Sequence, residues 1–338
     1  MHKRVLLSGI AGSIGLHTLA RIMRHTDWHV VGIASFRHKG LTDRINQHFN
    51  NHPEDQERVT MITHDLTAPF SEIMVKDIGH IDYVINMASL SDVYASIVDP
   101  VPFVENNIKL TLNILELARK IKPSSFIQIS TDEVYGASES KEHGYVEWAP
   151  IVPSNPYAAS KAAQEAIAIS YWRTYNIPLI ITNTMNNFGE MQQENKFPVM
   201  IQKAIAKGET VTIHGKEGNI GSRSYIHSGN FAMALIHILN NLPPKMHENE
   251  KADKPDRYNI AGDLQLDNLE LAQAIAKAMG KELKYKLSHS ETVRPGHDTH
   301  YCLDDSKIRA TGWVSPVSFE ESLKNTVEWQ SKNLKWLN

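Results

Sequence analysis

The chain has 338 residues, with 35 Lys and Arg against 38 Asp and Glu, a formal charge of −3 and 41% hydrophobic residues. This is an ordinary globular composition, and its charge balance argues against a nucleic-acid or anionic-membrane surface. No apolar run approaches the ~20 residues of a membrane span, and the one cysteine, Cys302, excludes an internal disulfide and points to a cytoplasmic setting.

In chain order, the N-terminal Met1-His2-Lys3-Arg4 leads into an apolar run that glycines interrupt too early for a signal peptide. The first half then alternates short β-branched runs with helix-like segments, the pattern of a parallel α/β sheet. The spacing predicts strands at Arg4–Leu7, His29–Ala34, Thr60–Thr63, Tyr83–Asn86, Ser125–Ile129 and Leu179–Thr182. It predicts helices over Ile14–His25, Val101–Lys120 and Ala158–Tyr175, the last stopped by Pro178. Beyond residue 183 the texture becomes loop-rich over 184–224 and 257–310, with a core helix at Asn230–Leu242 and a charged surface loop at 243–257. The expected architecture is a doubly wound parallel sheet of Rossmann type from 1–183 plus 225–256. A smaller C-terminal substrate-binding lobe is expected from the discontinuous segments 184–224 and 257–338.

The first strand runs into Ser8-Gly9-Ile10-Ala11-Gly12-Ser13-Ile14-Gly15 and then a helix. Gly9, Gly12 and Gly15 permit a tight turn, a close backbone approach and close helix packing, so a pyrophosphate can rest on the helix N-terminus at Ser13 and Ile14. The second strand ends in Ser35-Phe36-Arg37-His38-Lys39, without the carboxylate that usually holds an NAD ribose. Ser35, Arg37 and Lys39 suit a 2′-phosphate, which favours NADP over NAD. Asp65 and Leu66 after the third strand, and Ala88 and Ser89 after the fourth, are placed to line the cofactor; each could equally be a strand-end cap.

Two further clusters carry chemistry. Tyr157 and Lys161 lie four apart at the start of a helix and so share one face. A nearby ammonium favours the phenolate of a tyrosine that is otherwise a poor base. Thr131-Asp132-Glu133 follows a buried strand, at the sheet edge where ligands bind in such folds. Two adjacent carboxyls in different environments can divide into an acid and a base, although Thr131 or Asp132 could also simply cap a turn.

Gly9-x-x-Gly12-x-x-Gly15, Ser130-Thr131-Asp132-Glu133-Val134-Tyr135-Gly136 and Tyr157-x-x-x-Lys161 together resemble the extended short-chain dehydrogenase/reductase family. Asn186-Asn187-Phe188-Gly189, Gly221–His227, Tyr258–Gly262 and Arg294-Pro295-Gly296-His297-Asp298 narrow the resemblance to its nucleoside-diphosphate-sugar 4,6-dehydratase branch. The resemblance spans nearly the whole chain. It implies that Tyr157, with Lys161 and Thr131, oxidises a hexose at C4 with hydride passing to the nicotinamide. Glu133 would then remove the C5 proton, Asp132 would protonate the departing C6 hydroxyl, and hydride would return to C6. It further implies that Asn187, Lys196, Arg223, Asn259, Arg294 and His297 face the sugar nucleotide, that the cofactor stays bound and is recycled, and that the chain forms a homodimer through the helices near 101–120 and 158–175.

The chain departs from the family pattern at Leu90, at Ser228-Gly229-Asn230 and at Glu190-Met191-Gln192-Gln193-Glu194. The alternatives on the same scaffold are a sugar-nucleotide 4-epimerase, which has no use for the pair at 132 and 133, and a uronate decarboxylase. A non-catalytic dinucleotide sensor would be expected to lose Tyr157, Lys161 or the acidic pair, and this chain keeps them all.

Overall fold

The computed structural model describes residues 2–140, 142, 144–216, 219–250, 252–288 and 299–337. Arg294 and His297 lie outside the described residues. Six apolar runs form β1 (Arg4–Ser8), β2 (His29–Ala34), β3 (Val59–Thr63), β4 (Tyr83–Asn86), β5 (Ser125–Thr131) and β6 (Leu179–Thr184). Shorter strands follow: β7 (Asn186–Phe188), β8 (Val211–Lys216), β9 (Asn219–Ile220), β10 (Ser222–His227), β11 (Asp256–Ile260), β12 (Gln265–Asp267) and β13 (Tyr285–Ser288). The main sheet has seven parallel strands in the order β11-β6-β5-β4-β1-β2-β3. The order reverses beside β1, and ligands of such sheets bind in the crevice outside the strand ends at that point.

Both faces of the sheet are covered, which is why its strands read as nearly continuous apolar runs. Neighbouring residues go to opposite sides: Val5, Leu7, Ile85, Ile127 and Ile180 enter one core, while Leu6, Val84, Phe126, Leu179 and Ile181 enter the other. Helices α1 (Ser13–His25) and α2 (Leu41–Asn51) contribute Leu16, Leu19, Ile22 and Ile45 to the first core. After α3 (Glu72–Ile78) and α4 (Val93–Val98), the long helices α5 (Pro100–Ile121) and α6 (Pro156–Tyr175) pack against each other and fill the second with Leu110, Ile114, Ala168 and Trp172. The smaller lobe is built from α7 (Phe197–Lys207), the sheets β12-β10-β7 and β13-β8-β9, and two helices that follow α8 (Ser228–Asn241) and α9 (His247–Glu250). These are α10 (Asn268–Met279) and, beyond the short α11 (Ser306–Arg309), α12 (Phe319–Lys332); they enclose Ile205, Ile213, Leu271, Ile275, Leu323 and Val327.

The predicted strands and helices agree with the observed ones to within two residues at each end. Two features differ. The segment expected as a surface loop over 243–257 contains α9 and the start of β11. The main sheet also continues past the boundary expected at 256, because β11 pairs with β6 from Asp256↔Ile180 to Ile260↔Thr184. Its run is too short and too polar for periodicity to assign it to a sheet.

Candidate active site

The loop from β1 to α1 is shaped as an anion cradle. Gly9 has φ +72° and its N–H donates to Ile33 O, while Gly12 N–H donates back to Gly9 O at 2.9 Å. A Cβ on Gly15 would stand 2.2 Å from Gly9 O, and one on Gly9 would meet Ala88 at 3.0 Å. Among the described residues no side chain caps the N-terminus of α1 at Gly12, and the Ser13 hydroxyl is buried with no hydrogen-bond partner. Free N–H groups, a helix dipole and an orphaned hydroxyl at one point fit the diphosphate of a dinucleotide. Ile14 packs against the first core, and the Ser8 hydroxyl accepts from Met87 N and Ala88 N, tying the end of β4 to the same loop.

The basic stretch after β2 is arranged differently from the expected phosphate clamp. Ser35 is half-buried at the strand end, but the Lys39 ammonium is 3.0 Å from Glu194 Oε1 and turned across to the loop before α7. Arg37 pairs with Asp65 Oδ2 at 2.7 Å, and Asp65 Oδ1 also accepts from the backbone and hydroxyl of Thr67. Asp65 is therefore both a turn cap and the partner of Arg37. Leu66 is buried with its carbonyl held by Asn113, and the Ser89 hydroxyl donates to Leu90 O.

The reaction centre assembles where β5 ends. Thr131 accepts a weak bond from Glu133 N, so it does cap the short turn Asp132–Tyr135, and its hydroxyl donates to Asp132 Oδ1 at 2.8 Å. Thr131 also lies beside the Tyr157 phenol and acts to lower it. Asp132 is buried, and its Oδ2 has no hydrogen-bond partner among the described residues. Burial pushes the Asp132 carboxyl up, against the Thr131 hydrogen bond and the Arg223 cation. Burial and then the charge of Asp132 push Glu133 up as well, against a hydrogen bond from Asn155 and the cations of Arg223 and Lys196. Two adjacent carboxyls raised in this way can divide a single proton between them, as an acid/base pair requires.

Lys161 departs from expectation. Its ammonium is buried and donates to Ile129 O at 2.8 Å, and no bond to Tyr157 is formed. Burial lowers it to about 8, partly offset by Glu165. Burial and the two carboxylates raise the Tyr157 phenol, and Thr131, not Lys161, is the neighbour that opposes them. The ammonium is on the shared helix face, but the carbonyl at the end of β5 outcompetes the phenol for it.

Beneath these groups lies a buried polar layer that local sequence did not reveal. Asn107 holds Leu90 by both its N–H and its carbonyl and donates to Ser160 at 2.8 Å. Arg257 and Glu165, both 0% exposed, pair at 2.6 Å. Glu165 also accepts from Asn183 Nδ2, which in turn donates to Thr131 O. Asn155 is the N-cap of α6, and its position just before Pro156 is a signal that the cap rule would have caught.

On the substrate side, Asn187 is held by Thr184 and Met185 and keeps a buried Oδ1 without a partner. Lys196 donates to Ser91 O at 3.3 Å and acts electrostatically on Glu133. Arg223 is buried over the Tyr301 ring, with Nη1 donating to Ser222 O and Thr299 O. Asn259 does not join them. It is 0% exposed and its amide is spent on Tyr145 O, Asp304 O and the Tyr135 hydroxyl, so it stitches loops together behind the site.

The departures from the family pattern also find places. The Ser228 hydroxyl donates to Phe188 O and Asn230 Nδ2 to Val317 O. Glu190 sits between His17 of α1 and His227 of β10, 3.1 Å from His227 Nε2. These three groups lie close enough to suggest a cation site. However, His227 Nδ1 accepts from Gly229 N, so its Nε2 carries the hydrogen given to Glu190 and presents no lone pair. The trio is a clamp between α1 and the loop carrying Asn187 and Lys196.

A glycine cradle at the sheet's switch point, with a tyrosine, a lysine and two adjacent carboxyls beside it, defines a nicotinamide-dependent enzyme of the extended short-chain dehydrogenase/reductase class. A family model described as GDP-mannose 4,6 dehydratase matches residues 6–326. The chain belongs to this family of nucleoside-diphosphate-sugar 4,6-dehydratases. It is 32% identical to the low-salt glycan biosynthesis protein Agl12 of Haloferax volcanii, over 96% of this chain and 97% of that one. It is 30% identical to dTDP-glucose 4,6-dehydratase 1 of Escherichia coli K12, over 99% and 94%. The crystal structure of the dTDP-glucose 4,6-dehydratase DesIV from Streptomyces venezuelae, with NAD and TYD bound, superimposes with a TM-score of 0.83 at 27% identity. That match covers 99% of this chain and 100% of DesIV. Among the described residues no helix is long and apolar enough to cross a membrane.

Proposed function

We propose that the enzyme removes water from the hexose of a dTDP- or UDP-glucose-type sugar nucleotide, giving a 4-keto-6-deoxy product. The observation that carries this reading is the adjacent Asp132/Glu133 pair at the end of β5, with Asp132 buried and hydrogen-bonded by Thr131, beside the Tyr157 phenol. Tyr157, relayed by Thr131, takes the C4 hydroxyl proton. A nicotinamide dinucleotide held on the Gly9–Gly15 cradle would supply hydride acceptance at C4 and hydride donation at C6. The C4 ketone acidifies C5, and Glu133 takes that proton and gives it back to C5 once hydride has reached C6. The C5–H electron pair becomes the C5=C6 bond as the C6–O bond breaks, and the proton of Asp132 leaves with the hydroxyl as water. Lys196 and Arg223, with Arg294, supply the positive charge that a diphosphate needs, and Asn187 offers its unpartnered Oδ1 to a sugar hydroxyl.

For the cofactor, the reading favours NADP. β2 ends without a carboxylate, and the Arg37–Asp65 pair is half-exposed, so it is weak enough to be exchanged for a 2′-phosphate. Lys39, held by Glu194, drops out of that argument. A homodimer through α5 and α6 is supported by the exposed Val101 and Leu112 of α5, 60% and 36% accessible, and a light-scattering mass of one chain would refute it.

The test is incubation of the purified protein with dTDP-glucose, UDP-glucose, UDP-N-acetylglucosamine and GDP-mannose, followed by product mass. Loss of one water without added reductant is expected; an isobaric product would indicate epimerisation and loss of CO2 from a uronate a decarboxylase. In Glu133→Gln, water loss should fall by about 100-fold or more, the usual cost of losing a general base. The mass of cofactor released on denaturation distinguishes NADP from NAD.

A further inference from the structure

Asn155 has no role in the scheme above, yet its side chain connects helix α6 to the acidic pair. It is 6% exposed. Its Oδ1 accepts from Ala158 N at 2.9 Å, and its Nδ2 donates to Glu133 Oε2 at 3.1 Å. The backbone N–H of Ala158 can only donate, so the amide cannot flip without losing the cap. Asn155 therefore always presents an N–H to Glu133.

The partner of Asp132 is of a different kind. Thr131 donates its hydroxyl hydrogen to Asp132 Oδ1, but a hydroxyl can rotate and accept instead. When Thr131 donates elsewhere, as its relay to Tyr157 requires, Asp132 loses that stabilisation and can hold the shared proton, with its second oxygen unpartnered. An amide N–H offers no such reversal, and it favours only the ionised form of the carboxyl it meets.

The geometry points to Asn155 as a positioning residue that assigns the roles within the pair, holding Glu133 as the ionised base and leaving Asp132 as the proton carrier. The inference rests on the reading of Glu133 as the C5 base. The charged and titratable groups facing Glu133 are Asp132 in its own turn, Tyr157 on α6, Arg223 on β10 and Lys196 ahead of α7. Arg223 also favours ionised Asp132, so it does not separate the two carboxyls as a directed hydrogen bond does.

Two variants test this while keeping the helix capped. Asn155→Ser retains a good N-cap but is too short to reach Glu133. Asn155→Asp retains the cap oxygen and replaces the donor with a carboxylate oxygen. The acid limb of kcat should move up by about one pH unit in Asn155→Ser and further in Asn155→Asp, so that turnover at pH 6 falls about tenfold. KM should stay within about twofold, since binding groups are untouched. Solvent deuterium should enter C5 more slowly in step with kcat. Infrared titration, which needs no turnover, should show the protonated-carboxyl band that disappears in Glu133→Gln growing at neutral pH in Asn155→Ser. A wild-type acid limb, C5 exchange and carboxyl titration in both variants, with Glu133→Gln inactive, would overturn the proposal and leave Asn155 a helix cap. A Glu133→Gln enzyme that still loses water at full rate would instead overturn the base assignment itself.

Discussion

Alanine at Gly15 and at Gly12 should fail in different ways. At Gly15 the added Cβ falls 2.2 Å from Gly9 O and 2.9 Å from Gly9 C and Ile10 Cα, all backbone atoms that no rotamer change can move. Accommodation requires α1 to retreat from the β1 turn by about an ångström, an overpacking that costs roughly 1–3 kcal/mol. For a chain of this size that corresponds to a fall in Tm of about 2 °C per kcal/mol. At Gly12 the Cβ meets only Gly9 O, at 3.1 Å, and the backbone at φ −68° and ψ 164° is open to any residue. The fold should therefore tolerate Gly12→Ala within about 1 kcal/mol, since reduced freedom in the unfolded chain offsets the tight contact. Its methyl, however, stands at the helix N-terminus where the diphosphate approaches. Thermal melts together with the mass and stoichiometry of bound cofactor separate the two effects. Gly15→Ala should lose both stability and cofactor, and Gly12→Ala cofactor alone. Unchanged melting and full cofactor retention in Gly15→Ala would refute the cradle geometry.

Two further outcomes follow from buried charge. Glu165→Ala leaves the 0% exposed Arg257 without its carboxylate and should cost roughly 3–5 kcal/mol in urea unfolding; a loss below about 1 kcal/mol would mean that the pair is dispensable. His17 is held down to about 4 by burial, below its ordinary 6.5, and so stays neutral in the fold while the unfolded chain takes up a proton. The His17 contribution to stability should be full above pH 6.5 and fall by about 3 kcal/mol as pH drops through 6.5 toward 4. Glu190, held down to about 2 by its His227 hydrogen bond and the two imidazoles against burial, adds stability that is present above about 4.5 and is lost as pH falls toward 2. In chemical denaturation the stability difference between wild type and His17→Gln should change by about 3 kcal/mol between pH 7 and 4; a difference that does not vary with pH would refute the His17 contribution.

Much of this enzyme is legible in short-range pattern. Val5-Leu6-Leu7 followed by glycines at 9, 12 and 15 specifies a strand, a tight turn and a helix, because strand pleat and turn sterics act over a few residues. Thr131-Asp132-Glu133 and Tyr157-x-x-x-Lys161 stand out by their places at a strand end and a helix start, while their roles come from the family resemblance. β11 was harder to place because five residues with two charges lack a period long enough to read.

What the sequence by itself determined is the inventory: a dinucleotide fold, an anion cradle and, through the family resemblance, the residues proposed to oxidise a sugar and expel water. Which atoms they engage was decided only by tertiary structure. Lys161 meets Ile129 O rather than Tyr157, Lys39 meets Glu194, Asn259 is spent on loops behind the site, and Asn155 reaches Glu133. Each of these bonds joins elements far apart in the chain. A donor with several acceptors within its reach takes the one that packing brings nearest, and no local pattern carries that information.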